Sequence, residues 1–203
     1  MAPKELQGLV DTIVAATAGL PSPATLAAWQ PALSGDIDIR IGRDGTWWHE
    51  GSPILREGLV RLFASLLRRE GDGEYYLVTP VEKWRIQVER HALQVVDVNQ
   101  ITDPKGVDKG ESDDPRVWEV LLNTGGRCTL DASHRLHVPA GQNAERNDGG
   151  QEDESPFVNV PSGLTAQLSR PAWYRLVEAA TVEDDIAFIE SAGVRHELGS
   201  ITV

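Results

Sequence analysis

Between Asp36 and Lys83 the hydrophobic positions first alternate, then turn, then change period. Ile37, Ile39 and Ile41 alternate with Asp38 and Arg40, the period-two pattern of a half-buried strand. Asp44-Gly45 then supplies the positive φ angles of a tight hairpin turn. With a two-residue turn, Ile41 faces Trp48 and Gly42 faces Trp47, which sets Arg40, Trp47 and His49 on the face opposite the isoleucines. A three-residue loop with a bulge exchanges the two tryptophans. After the hairpin, Ser52 offers an oxygen to the free N–H groups of a helix start, and Pro53 fits the first helical position. Leu55, Leu59, Leu62, Phe63 and Leu66 follow at helical spacing, with Glu57, Arg61 and Arg68 on the other side, Glu57 and Arg61 as a favourable i, i+4 pair, and Gly71 as the stop.

The same reading extends along the chain. Leu6, Leu9, Val10, Ile13 and Val14 predict a short amphipathic helix over Lys4 to Ala18, and Ser22 opens a second helical turn or two anchored by Trp29 and ended by Pro31. "EYYLVTPVEKW" predicts strand, with Pro80 at an edge or at a break where the chain leaves one sheet for another. Trp84, Ile86 and Val88 alternate with Arg85, Gln87 and Glu89, and "ALQVVDV", Val117 to Asn123, "RCTLD" and "RLHV" continue as strands. Gln100 to Pro115 is polar and predicts a long hairpin loop, and Ala140 to Ser155 has no apolar periodicity and predicts a mobile insertion. "FVNV", a turn near Ser162-Gly163, "LTAQL", and a Ser169-capped, Pro171-started helix over Arg170 to Ala180 repeat the order of hairpin, Ser, Pro and helix seen at Ile37 to Arg69. A last hairpin turns at Ala192-Gly193. The expected organisation is a helical segment over 1–35, a small α+β domain over 36–80, and a β-rich domain over 81–203 that carries the insertion 140–155.

Composition refines this picture in two ways. With 203 residues and 40% hydrophobic content the chain is long enough for a real core. No apolar run approaches the ~20 residues of a membrane helix, and the N-terminus lacks a basic region followed by an apolar segment, so the expectation is a cytoplasmic protein that does not engage membrane. The formal net charge of −12 argues against coating nucleic acid by charge alone. Yet nine of the 19 Lys and Arg and nine of the 31 Asp and Glu lie between Ile37 and Arg90, so all the net negative charge lies outside that stretch.

The runs "DGTWWHEGSPI", "LVRLFASLLRR" and "YYLVTPVEK" resemble the bacterial family called domain of unknown function 1285, and the resemblance continues more weakly in "PFVNVPSGLTAQLSRPAWYRLVE". It implies an α+β fold with a duplicated hairpin-plus-helix core and a C-terminal half like a pleckstrin-homology-like β-barrel with a capping helix. The family carries no established activity, so it implies shape rather than chemistry. The long polar segment before Phe157 and the closing "GVRHELGSITV" depart from its pattern.

Candidate chemistry is sparse. Cys128, Asp131, His134 and His137 are metal-ligand types, but positions three apart on a strand face opposite sides and no second ligand pair follows, so no metal is expected. There is no G-x-S-x-G elbow, P-loop, G-x-G-x-x-G or calcium-hand ligand order, and no cofactor is expected. Arg40, Arg43, Trp47, His49, Arg61 and Arg68, with Glu82 and Lys83, are the residue types that carry binding energy at recognition surfaces. The alternative is a Trp47 that only stacks on Arg40 within the fold. The leading expectation is a non-catalytic binding or regulatory module, with signal transduction as one setting, that takes a protein or nucleic-acid ligand at the interface of its two halves. The others are a sensor using the same arginines for a small anionic ligand, and an enzyme using Glu82 beside Lys83.

Overall fold

The computed structural model describes residues 20–102, 116–139 and 155–201. The expected helix over Lys4 to Ala18, most of the polar loop after Gln100, and all but the last residue of the insertion lie outside them. The chain forms two compact units: one closes at Ala92 and takes back Pro161–Leu164, and the other holds Leu93–Val160 and the chain from Thr165. Strands dominate both, with few helices. Among the described residues no helix is long and apolar enough to cross a membrane.

Among the described residues the first unit opens with α1 (Pro23–Ala28), where Ser22 Oγ accepts the Thr25 N–H at 3.1 Å and Pro23 fills the first helical position. Leu26 buries against Tyr76 and Val78, with Trp29 packed alongside. The body is a six-stranded sheet of β1 (Leu33–Ile41), β2 (Trp47–His49), β3 (Ser52–Pro53), β4 (Leu67–Arg69), β5 (Tyr75–Val78) and β6 (Lys83–Val88), in the order β3-β2-β1-β6-β5-β4. The central β1 and β6 are parallel, and the other pairs are antiparallel. The helix α2 (Glu57–Leu66) buries Phe63 and Leu66.

The first hairpin has the bulged register. Gly45 N–H donates to Gly42 O at 2.9 Å, Gly42 N–H donates to Thr46 O at 2.9 Å, and Gly45 sits at φ 77°. Three residues thus bridge Gly42 and Thr46, a turn closed by a left-handed glycine. Ile41 pairs with Trp47, Arg40 with Trp48 and Ile39 with His49. One extra loop residue moves every side chain of β2 to the other face. Trp47 and His49 therefore join the isoleucine face, against the two-residue-turn expectation.

The next three expectations are also corrected. Ser52 and Pro53 do not open the helix. Glu50 and Gly51, both at positive φ, turn the chain straight back, His49 pairs with Ser52, and Ile54 N–H donates to Trp47 O at 2.8 Å. The sheet edge thus claims the Ser-Pro pair, a position where a proline without an N–H is tolerated. The helix starts at Glu57 after Arg56, with no side-chain cap bond, and Leu55 stays 83% exposed. It ends at Leu66 rather than near Gly71, because Leu67–Arg69 pairs with β5. That puts Arg68 on a strand rather than on the polar helix face. Pro80 does not divide sheets: Thr79 N–H donates to Glu82 O at 2.9 Å, and the chain returns as β6 beside β5.

The second unit has a six-stranded sheet of β7 (Leu93–Thr102), β8 (Arg116–Leu122), β9 (Arg127–Thr129), β10 (Leu136–His137), β11 (Phe157–Val160) and β12 (Leu164–Leu168), in the order β10-β11-β12-β7-β8-β9. Here β12 runs parallel to β7. As expected, Ser169 caps α3 (Arg170–Glu178), its Oγ accepting the Ala172 N–H at 3.4 Å, with Ala172 and Leu176 buried. A three-stranded sheet follows, β13 (Thr181–Glu183), β14 (Ile186–Ser191) and β15 (Val194–Ser200). Ala192 and Gly193 form the expected final turn, at φ 50° and 71°. Ser191 ties this sheet to the larger one, its Oγ accepting the Trp118 N–H at 2.8 Å and donating to Leu130 O at 2.6 Å. Both units thus contain a hairpin followed by a helix and one parallel strand pair, a duplicated-like architecture.

Candidate functional site

The eight residues singled out from the sequence separate into five environments. Trp47 is 1% exposed and stacks on Phe63 at 6.1 Å between ring centroids, and His49 is buried beside it on the same face. Arg40 lies on the opposite face with Trp48, its guanidinium 5.2 Å from the ring centroid, and ion-pairs with Glu89. Glu89 also accepts the Arg43 backbone N–H at 3.1 Å. The aromatic partner of Arg40 is therefore Trp48, and the residue count of the loop was the signal that decided it.

Arg68 is buried and structural. Its guanidinium donates to Leu26 O at 3.1 Å and Trp29 O at 3.0 Å, two backbone carbonyls at the end of α1, and it pairs with Glu70. Lys83 Nζ reaches the other Glu70 oxygen at 3.0 Å and lies 4.8 Å from the Tyr76 ring centroid. Burial pushes the Glu70 carboxyl up, but its hydrogen bonds to Arg68 and Lys83 outweigh this and hold it below the usual range. Tyr76 donates to Asp72 at 2.7 Å, and that bond with burial pushes the phenol up to about 12. Glu82 accepts from Trp84 Nε1 at 3.5 Å, and Arg61 pairs with Glu57 at 3.5 Å on the exposed side of α2.

A concave site exists in the second unit. A pocket of about 610 Å³ is bordered by Arg135, His137, Val138, Pro139, Phe157 and His196, with Glu197 also on its wall. This volume is in the range of small-molecule pockets. It lies by the terminal strand β10 and the terminal strand β15, the last members of their two sheets. The His137 ring stacks on Phe157 with centroids 4.8 Å apart, and its Nε2 is 2.9 Å from Asn159 Nδ2.

His196 belongs to the lining of this pocket. Strand alternation turns it inward between exposed Arg195 and Glu197, and it is 2% exposed. Its Nδ1 accepts the Leu136 N–H at 3.3 Å, which assigns the proton of the neutral ring to Nε2. That Nε2 is buried and has no hydrogen-bond partner among the described residues. Burial lowers the imidazole pKa and the Arg135 charge lowers it further, outweighing the opposing pull of Asp131, so the ring is neutral near pH 7. Arg195 is already engaged, with Glu183 at 2.6 Å and over the Phe188 ring at 3.6 Å. Arg135 has no ion-pair partner among the described residues. Sequence reasoning set His137 aside as a structural or surface histidine and never weighed His196, because their meeting depends on β10 and β15 approaching each other.

The metal and nucleophile candidates do not assemble. Asp131 accepts the backbone N–H groups of Ser133 and His134, both at 2.8 Å, and among the described residues no three metal-ligand side chains cluster. Burial pushes the Cys128 thiol up to about 12.

No curated protein matches the chain. Two solved structures are similar. A crystal structure of a DUF1285 family protein from Silicibacter pomeroyi DSS-3 shares 31% identity over 96% of each chain, with a TM-score of 0.74. A DUF1285 family protein from Shewanella baltica OS155 shares 25% identity over 69% of this chain and 90% of its own, with a TM-score of 0.48. The family models of DUF1285, a domain of unknown function, match residues 24–91 with the N-terminal domain and 106–198 with the C-terminal domain. These ranges follow the two compact units, and with the Silicibacter pomeroyi fold they place the chain in the DUF1285 family.

Proposed function

We propose that this chain is a non-catalytic binding module that holds a small ligand in the pocket bordered by β10 and β15. The observation that carries this reading is the pocket itself, which sets Arg135, a guanidinium with no ion-pair partner among the described residues, beside the stacked rings of His137 and Phe157. Arg135 and His137 supply orientation, and Val138, Pro139 and Phe157 supply apolar burial area, a mixture found in ligand sites. Reading the second unit as a pleckstrin-homology-like barrel with α3 as its capping helix accords with such a site at an open sheet edge.

A second reading, a protein segment or nucleic acid on Arg40, Arg43 and Trp48, is favoured by the stacking of Arg40 on Trp48. The Glu89 carboxylate already neutralises that face, which weighs against a polyanion there.

Thermal denaturation with a panel of small carboxylates, phosphates, neutral amides and amines tests the pocket. A ligand at a hundredfold excess over its Kd stabilises by about 2.7 kcal/mol, which raises the Tm of a chain this size by about 5–10 °C. Val138→Trp, which fills the pocket, should fold and lose the shift. A panel that moves nothing, or a shift that survives Val138→Trp, contradicts the proposal.

A further inference from the structure

We infer that the ligand of this pocket is a short extended peptide segment, held by its main chain along the outer edge of β15. This rests on the pocket being the ligand site and adds the kind of ligand. The pocket borders Arg195, His196 and Glu197 in succession, and residues 135–139 in the same way. Successive side chains of a strand point to opposite faces, so a cavity that borders three residues in a row runs along the backbone edge and not over either face. One edge of β15 is taken by β14, and the other is the open side of that sheet.

The turn at Ala192-Gly193 fixes which backbone groups this edge offers. Both residues have positive φ, 50° and 71°, and they join Ser191 to Val194 as a two-residue hairpin loop, whose flanking pair is hydrogen-bonded. Bonded and open pairs then alternate along the ladder, so Ile189 with His196 is a bonded pair, while Glu190 with Arg195 and Phe188 with Glu197 are open ones. The N–H and C=O groups of Arg195 and Glu197 therefore point away from β14, and they meet no partner among the described residues. Unpaired groups two residues apart on an exposed edge are a template for an added strand, whose main chain supplies affinity and whose alternate side chains supply selectivity. Arg195 is engaged by Glu183, whereas Glu197 has no ion-pair partner among the described residues, so the ligand residue opposite Glu197 is a basic one. β10 walls the far side of the pocket, which suits a single strand. A second copy of this chain would bring its own β14 behind its β15, against β10.

Fluorescence anisotropy of the full chain with a dye-labelled, end-capped heptapeptide of alternating threonine and valine around a central lysine tests this. Two further forms carry esters in place of every second amide, in one register or the other, which removes the N–H donors of one side and keeps every side chain. The parent peptide should bind, and at least one ester form should bind at least about tenfold more weakly. Glu197→Pro removes an outward N–H and leaves the ladder to β14 intact, so it should fold, as an equal melting temperature would verify, and lose at least about tenfold. Should it unfold, the ester peptides decide. Glu197→Lys should reverse the preference for the lysine-centred peptide over its glutamate-centred twin, each preference reaching up to about fivefold. Equal binding by the parent and both ester forms, or an unchanged preference in Glu197→Lys, overturns the inference. A chain that sediments as a dimer, and as a monomer with Glu197→Pro, has its own β15 on this edge and overturns it as well. If the peptides are silent while a compound from the small-molecule panel shifts the wild type and not Val138→Trp, the peptide is wrong and the pocket stands. If peptides and panel are all silent, both fall.

Discussion

Trp47 and Trp48 are adjacent and chemically alike, and the backbone alone assigns them different work. Trp47 is buried and stacked on Phe63, and its indole N–H is buried with no partner among the described residues, so it contributes through packing. Trp48 is half-buried on the far side under Arg40. Trp47→Ala should cost about 3–5 kcal/mol of stability, whereas Trp48→Ala should cost about 1 kcal/mol, the scale of an exposed cation–π contact. Chemical denaturation of the two variants checks this, and equal losses would contradict the register. Both faces were legible as alternatives, because "GRDGT" fits a two-residue turn at Asp44-Gly45 as well as a three-residue loop. The deciding fact is a hydrogen bond, Gly42 N–H to Thr46 O, that competing turn types do not distinguish by composition. Arg68 was hidden for a related reason: a helix one turn longer would have left it in solvent, and the strand that replaces it buries the guanidinium on the carbonyls of α1.

Two Ser-Pro junctions at the element scale carry the same local signal with opposite outcomes. Ser169 caps α3 through the Ala172 N–H, while Ser52 lies exposed in β3, paired across to His49. Ser169→Ala should therefore destabilise by about 1 kcal/mol, and Ser52→Ala by a few tenths at most. Urea titrations of both variants separate the cases, and a larger loss for Ser52→Ala would restore the helix start there. Element existence was legible almost throughout the described chain, since period-two and helical runs were long and bounded by turns. What failed were boundaries at which a sheet competed for the same residues: β3 took the helix cap, and β4 took the last helical turn. The strand β13 went unread because Asp184-Asp185, at φ 50° and 62°, supplies the turn without the glycine that would announce it.

At the scale of the whole molecule, the duplicated-like plan was visible in the repeated order of hairpin, Ser-Pro and helix, and the pocket was not. Its walls come from residues some 60 positions apart, as the Leu136 to His196 hydrogen bond shows, and no local pattern records such a meeting. The charge analysis pointed to the first unit because its arginines are numerous. There most of them are spent on partners within the fold: Arg40 on Glu89, Arg68 on Glu70, and Arg85 on Asp36 at 2.7 Å. The most direct measurement is an NMR titration of the ¹⁵N-labelled chain with whichever compound raises the Tm most. The account predicts amide shifts concentrated at 135–139, Phe157 and 195–197. Shifts confined to 40–48 and Glu89 would contradict it.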